Sequence, residues 1–383
     1  MRQLPLQSRH ETQGAHLICH GEWLLPEYFV DPISEYRAVR EGVGIIDLSH
    51  DGKYLISGQD RVTFLQNLIS NDIHLASHKR GIISALLSAK GKVISTFFLC
   101  PLTGLAGPAE GGPLPDAYFI DIASDIAEKT IGHLMKYKMR SKIKIEGIRW
   151  GKLLVSGPSA EALLSALLKR PLPDMEEGSF FFQGQPDPLL VIRTAQTGED
   201  DYHLYCHEDQ MEQLWHDLFA LGEKWGVAPV GQTALNILRI EAGIPRLGVD
   251  IDEDRFPIEA GLEEKAISYT KGCYPGQEVV ARIKTYGHVN RRLTGLRIQG
   301  NNIPQYRDAV FQADDPVGWV TSSVVSPLFD APIAMAYLKN SVIDGTSVEV
   351  SLGAMEGQSG RRVTAVAAPL PFYERTVSSP VQQ

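Results

Sequence analysis

Helix signals stop at residue 289, and this break constrains the fold more than any other feature of the chain. After it, short alternating runs at 293–298, 317–325, 333–338, 346–351 and 362–367 are separated by glycine and proline turns. Period-two alternation broken by such turns predicts a terminal all-β barrel or sandwich. The region before the break is mixed. Asp31-Pro32 starts a helix carrying Tyr36 and Val39, with aspartate as N-cap and proline at N1. Lys53 to Ser57 alternates as a strand, and Asp60 opens a helix through Phe64, Leu65 and Leu68. Two strands are expected over 81–100 and another at 117–123, with Ser124 capping the helix that follows. Further strands fall at 147–157, 189–195 and 202–206, and helices at 158–168, 208–224 and 232–243. This order predicts an α+β body ahead of an all-β end. The glycine- and proline-rich stretch 104–117 reads as an exposed insertion, and 170–188 as loop.

Composition excludes several classes of function. At 383 residues and about 150 residues per domain, two to three domains are expected. The chain carries 37 basic against 46 acidic residues, net −9, whereas a dedicated nucleic-acid-binding domain is usually basic. Direct nucleic-acid binding is therefore not expected. No apolar run approaches the ~18 residues of a membrane span, and the N-terminus lacks the apolar core of a secretory signal. The four cysteines (Cys19, Cys100, Cys206, Cys273) are widely spaced and form no C-x-x-C pair, which disfavours a zinc ribbon or a redox dithiol and suits a reducing compartment. The expected location is the cytoplasm. His16, Cys19 and His20 lie close together, but no second cluster completes four ligands, so no metal site is assigned.

The segment richest in chemistry is Lys271-Gly272-Cys273-Tyr274-Pro275-Gly276-Gln277-Glu278. Proline at i+1 and glycine at i+2 predict a type II turn at Tyr274–Gln277. Gly272 would let backbone around Cys273 approach a ligand. Lys271, with Arg282 and Lys284 downstream, would favour the thiolate. Two readings stay open: a reactive or ligand-contacting cysteine, and a small apolar residue in a tight turn. Charge around the segment is uneven. Residues 250–264 hold seven acids and one base, whereas 279–297 hold five bases and no acid. The 279–297 run reads equally as a focus for an anionic ligand and as a solvated face, whereas a second basic series, Lys136, Lys138, Arg140, Lys142 and Lys144, reads rather as a solvated face or as cations at a helix C-terminus.

The Lys271–Glu278 motif resembles the folate-binding YgfZ family, a branch of the glycine cleavage T-protein (aminomethyltransferase) superfamily. Other segments are similar to that superfamily: Leu65–Ile73 with its Asn71-Asp72 pair, Arg239–Pro245, Pro257–Leu262, Gly318–Ser323 and Ile333–Tyr337. The likeness runs from about residue 10 to 375. It implies a three-domain cloverleaf, with two interleaved α+β domains and a C-terminal antiparallel β-barrel around a central channel. The implied divisions are 1–52 with 147–240, 53–146 with 241–282, the barrel 283–375, and a tail 376–383. It also implies tetrahydrofolate as cofactor, with Asn71, Asp72, Arg239, Gln277, Glu278 and Arg282 as binding residues and Cys273 and Lys271 as catalytic candidates. For the YgfZ branch the implied role is support of iron–sulfur cluster assembly or repair, with iron–sulfur proteins or assembly factors as partners and an effect on tRNA modification.

The departures bear on activity. Where aminomethyltransferases carry acidic residues after a glycine turn, this chain has Ser95 and Thr96. The family's folate-contacting tyrosine and glutamate align with Gln196 and His203. Hydroxyls cannot serve as a carboxylate base, which disfavours aminomethyl transfer. The alternatives are a folate-dependent one-carbon transferase or demethylase and a non-catalytic scaffold.

Overall fold

The computed structural model describes residues 1–102, 116–183, 188–287, 289–353 and 360–375. The tail 376–383, and all but the last two residues of the insertion read at 104–117, lie outside them. Among the described residues no helix is long and apolar enough to cross a membrane.

Besides a two-stranded sheet of His16–His20 and Trp23–Tyr28, three larger sheet systems organise the described residues. The first is six-stranded and joins Val43–Asp47, Trp150–Ser156, Phe180–Gln183, Leu189–Thr194, Asp201–His207 and Val227–Pro229. The second is five-stranded, from Gly52–Ser57, Ile82–Leu87, Val93–Leu102, Ala117–Ile122 and Lys144–Gly147. The third is a closed antiparallel barrel of six strands between Arg291 and Ala368. The barrel forms because its strands alternate: Val310, Val320, Val348, Val350 and Val363 all turn into one core.

The same period of two positions the site. Each of the first two sheets presents one face to helices and the other to its partner sheet. On the five-stranded sheet, Phe97 and Leu99 pack beneath the helices Arg61–Leu68 and Ser124–Lys138. Phe98, Cys100 and Phe119 point the other way, against Leu190, Ile192 and Tyr205 of the six-stranded sheet. A side chain two residues from Phe119, such as Asp121, therefore enters the space between sheets.

Several local expectations are corrected. The 170–188 stretch contains the strand Phe180–Gln183, whose partner is Leu189–Ile192; flanking prolines and acids masked it. The basic stretch after the cysteine motif, where the sequence pattern marks no element, begins as a helix, Gln277–Tyr286. Ser124 does not cap its helix with its own side chain; the Asp51 carboxylate accepts its N–H at 3.1 Å, a partner 73 residues away. The type II turn is present, with Gly276 at φ +81° and the Gln277 N–H donating to the Tyr274 carbonyl. The glycine that geometry requires there is Gly276, where a Cβ would lie 2.5 Å from the Ser88 carbonyl oxygen; at Gly272 a Cβ meets open space.

Candidate functional site

A 770 Å³ cavity opens where the two sheets, the barrel and residues 242–262 meet. A neighbouring 820 Å³ cavity shares Ile83, Phe98, Glu177, Thr194, Glu264 and Lys265 with it, so the two form one passage. This volume suits a drug-sized or cofactor-sized ligand. Lys265–Glu177 and Arg292–Asp344 ion pairs flank the passage.

Asp121, which lines the 770 Å³ cavity, belongs to a set of buried charges whose members Asp51 and Lys53 line a separate cavity. Asp121 comes from Ala117–Ile122 and is paired in register with Lys53 and with Phe98. Lys152 comes from the facing sheet, and its ammonium is 2.7 Å from Asp121 Oδ2 and 2.8 Å from Asp51 Oδ2. Burial opposes charge on Lys152, but the two carboxylates outweigh it and its pKa is raised. Burial also opposes charge on Asp51, but Lys152 prevails and holds its pKa low. Asp121 goes the other way: burial dominates and its pKa is raised, despite Lys152. Burial pushes the Lys53 ammonium down to about 8; it donates to the Ser49 carbonyl at 2.7 Å.

His203 lines the same cavity and is 5% exposed. Burial holds its pKa well below the ordinary imidazole value, so the ring is neutral. Its Nδ1 lies 3.3 Å from the hydroxyl of Tyr205, whose pKa burial raises. The tyrosine hydroxyl is also hydrogen-bonded toward Asp121, so the bond to Nδ1 runs in either direction with the ring tautomer. Two buried atoms here have no partner: Asp121 Oδ1 and His203 Nε2. Buried polar atoms are normally paired, which makes these two exceptions.

The residues singled out from the sequence are placed elsewhere. Among the described residues, none of Asn71, Asp72, Arg239, Lys271, Cys273, Gln277, Glu278 and Arg282 lines the 770 Å³ cavity, and only Asn71 lines its neighbour. The Asn71 amide donates to the carbonyls of Ile83 and Lys265, and Asp72 accepts from Gln66 and from the His74 N–H. Arg239 pairs with Asp250 at 2.6 Å and donates to Ser322 on the barrel. The buried Lys271 ammonium donates to the carbonyls of Gln66, Ile69 and Asn71 at 2.5, 2.6 and 3.0 Å. Those bonds use all three of its protons, so it is not the cation beside Cys273 that the motif suggested. Gln277 donates to the Lys271 carbonyl. Cys273, Glu278 and Arg282 are exposed. Of the five bases in 279–297, only Arg292 reaches the cavity.

The Ser95-Thr96 pair splits across the sheet. Ser95 accepts from Thr130 at 2.7 Å on the helix side, and only Thr96 faces the cavity. Sequence reasoning passed over Asp121 and Lys152. The available signal was one acid inside Ala117–Ile122, a strand in which every residue is buried.

The family model of the GCVT N-terminal domain matches residues 6–271, and that of the glycine cleavage T-protein C-terminal barrel domain matches residues 291–374. An aminomethyltransferase of Geobacillus sp. (strain WCH70) is 30% identical, covering 98% of this chain and 99% of the relative. That of Caldanaerobacter subterraneus subsp. tengcongensis is 28% identical, covering 98% and 96%. The crystal structure of glycine cleavage system aminomethyltransferase T from Bartonella henselae superposes with a TM-score of 0.85 at 24% identity, covering 97% of this chain and 98% of that one. That likeness is one of fold.

Proposed function

The chain belongs to the glycine cleavage T-protein family, and from that premise we propose that its central cavity binds tetrahydrofolate and that the protein is of the YgfZ branch, supporting assembly or repair of iron–sulfur proteins. The observation that carries the reading is the construction of the cysteine motif. Cys273 is presented to solvent on a turn whose neighbour Lys271 is locked into three carbonyls. A rigidly held, accessible thiol outside the folate cavity fits an encounter with a partner better than folate chemistry.

The cavity fits a reduced folate. Phe98 and Ile192 offer apolar walls, and Asp121, Gln196 and His203 add polar groups to the lining. Folate supplies a carrier for a one-carbon unit. The residues of this chain orient it and exclude water around its ring, while Thr96 stands where a transferase would place a carboxylate.

The full-length aminomethyltransferase relatives favour a second reading, one-carbon transfer. Calorimetry of tetrahydrofolate binding to wild type and Cys273→Ala, with complementation of a deletion strain, separates the readings. We expect equal folate affinity in both proteins and failure of Cys273→Ala to restore iron–sulfur enzyme activity under oxidative stress. Full complementation removes the cysteine role. Production of methylene-tetrahydrofolate from an aminomethyl donor replaces this reading with the second. Absence of tetrahydrofolate binding, with partner binding retained, leaves a scaffold.

A further inference from the structure

Three lysines are buried among the described residues, and they differ in what holds their charge. Lys152 lies between two carboxylates, and Lys271 donates to three carbonyls. Lys53 is 6% exposed. Among the described residues it has no carboxylate in ion-pair contact and donates only to the Ser49 carbonyl. An ammonium has three protons to place, so this one is the least satisfied of the three. Lys152, a second cation in the same set, opposes its charge further. A buried amine beside another cation, with no counter-ion in contact, is held towards its neutral, nucleophilic form.

Lys53 lines a 630 Å³ cavity that shares no lining residue with the central one. The cavity opens where the strand Gly52–Ser57, the first turn of the helix Ser124–Lys138 and the turn between His16–His20 and Trp23–Tyr28 meet. Trp23, Tyr54 and Trp150 give it aromatic walls. His50 lines it too and is 9% exposed. Its Nδ1 has no partner among the described residues, and its Nε2 lies 3.9 Å from Asp51 Oδ1. Burial lowers the His50 pKa, so the ring is neutral. A neutral imidazole takes a proton at one nitrogen and gives one from the other.

We propose that this cavity is a second reactive site, in which the Lys53 amine condenses with a small aldehyde to form an imine. The nitrogen bonds to the carbonyl carbon while the carbonyl π pair moves to oxygen. One proton passes from nitrogen to that oxygen by way of the His50 ring, giving a carbinolamine. The hydroxyl then takes a proton from the ring and departs as water. The nitrogen lone pair closes the C=N bond, and the remaining N–H proton returns to the ring. One aldehyde and one amine give one imine and one water, with no oxidant or reductant. Asp51 stays ionised and favours the cation passed through on the way. Arg2 and His20, the other basic groups in the lining, are paired with Glu22 and Asp125. The fit is therefore to an uncharged aldehyde, without a carboxylate or phosphate to be held. This site stands apart from the folate reading of the central cavity.

The test is reductive labelling of the folded full-length chain at neutral pH, with formaldehyde and separately with benzaldehyde. Cyanoborohydride fixes each imine as a stable amine, and peptide mass mapping gives a rate for every lysine. Lys53 is expected to label about tenfold or more faster than the exposed lysines, because more of it is present as free amine. In guanidinium the advantage should vanish. Glyoxylate, a charged aldehyde, should show no such advantage. His50→Gln should slow Lys53 by roughly tenfold or more and leave the exposed lysines unchanged, a pattern that unfolding would not give. A Lys53 that is protected in the folded chain and labels only in guanidinium is a structural cation, and overturns the proposal. A Lys53 rate equal to that of the exposed lysines, or unchanged in folded His50→Gln, overturns it as well. An equal advantage with glyoxylate overturns the uncharged class.

Discussion

The Arg239–Asp250 pair and the Lys152 cluster are both buried charges on facing elements, yet one is saturated and the other is not. Arg239 gives bonds to Asp250, Ser322, Asn236 and the Ile244 carbonyl. Asp250 accepts in addition from Thr321, Ser322 and the Arg246 N–H. Neither residue has an unpartnered buried atom among the described residues. This pair ties the helix Gln232–Glu241 to the barrel strand Asp315–Ser326, and its chemistry is complete without a ligand. In the Lys152 cluster the lysine is satisfied, but Asp121 Oδ1 and, on the facing sheet, His203 Nε2 find no partner among the described residues. Burial alone does not separate a structural charge from a binding one; the count of unmet hydrogen bonds does.

The comparison breaks if the two regions respond alike to substitution. The largest effect is expected at the saturated pair. Arg239→Met leaves Asp250 a buried, uncompensated charge and should cost about 3–5 kcal/mol of stability, read as a shift in the urea midpoint. A loss under 1 kcal/mol would mean that the barrel does not depend on this seat. Lys271→Met should cost less, about 1–3 kcal/mol, because three carbonyls lose a donor but no buried charge is stranded. A similar loss on Lys271→Arg would show that geometry, not only charge, is needed there.

Asp121→Asn should change stability less again, within about 1 kcal/mol, because Lys152 keeps Asp51 as its counter-charge. Its pH dependence sharpens the point. Burial raises the folded pKa of Asp121 above the unfolded value. Between the two values the native state holds a proton that the unfolded chain has released. Stability through this group therefore falls as pH rises from the unfolded pKa through the folded one. Asp51 has the opposite sign. Its folded pKa is lowered, so its contribution is present above the unfolded pKa and is lost as pH falls through the folded one. Urea titrations from pH 4 upward should show Asp121→Asn removing the decline on the alkaline side of the unfolded carboxylate pKa. An identical pH profile in wild type and variant would place Asp121 outside the coupled set.

The smallest effect is expected at Cys273. The side chain is exposed and bonded to nothing among the described residues, so Cys273→Ser should move stability by no more than ~0.5 kcal/mol. A larger loss would make the thiol a packing element and weaken its assignment to partner chemistry.

Much of the fold was legible because it is written in local periods. The barrel strands followed from alternation with turn residues, and the helices Pro32–Glu41 and Gln232–Glu241 from capping and spacing. The closing of six strands into a barrel agrees with that pattern. The strand Phe180–Gln183 was hidden because its flanks carry loop composition, and only its pairing partner makes it a strand. The motif around Cys273 was legible for the same local reason: a type II turn needs proline and glycine at fixed offsets.

The site was less legible, because it is assembled across sheets. The sequence by itself determined which residues could turn, alternate or cap, since those preferences are settled by backbone sterics and by neighbours a few positions away. It did not determine that Asp121 and His203, 82 positions apart in the numbering, face one cavity, nor that Lys271 faces three carbonyls rather than a thiol. Those relations depend on which sheet faces which and on which donors and acceptors burial leaves paired. Only the tertiary structure decided them, because the cost of an unmet hydrogen bond exists only once water has been excluded.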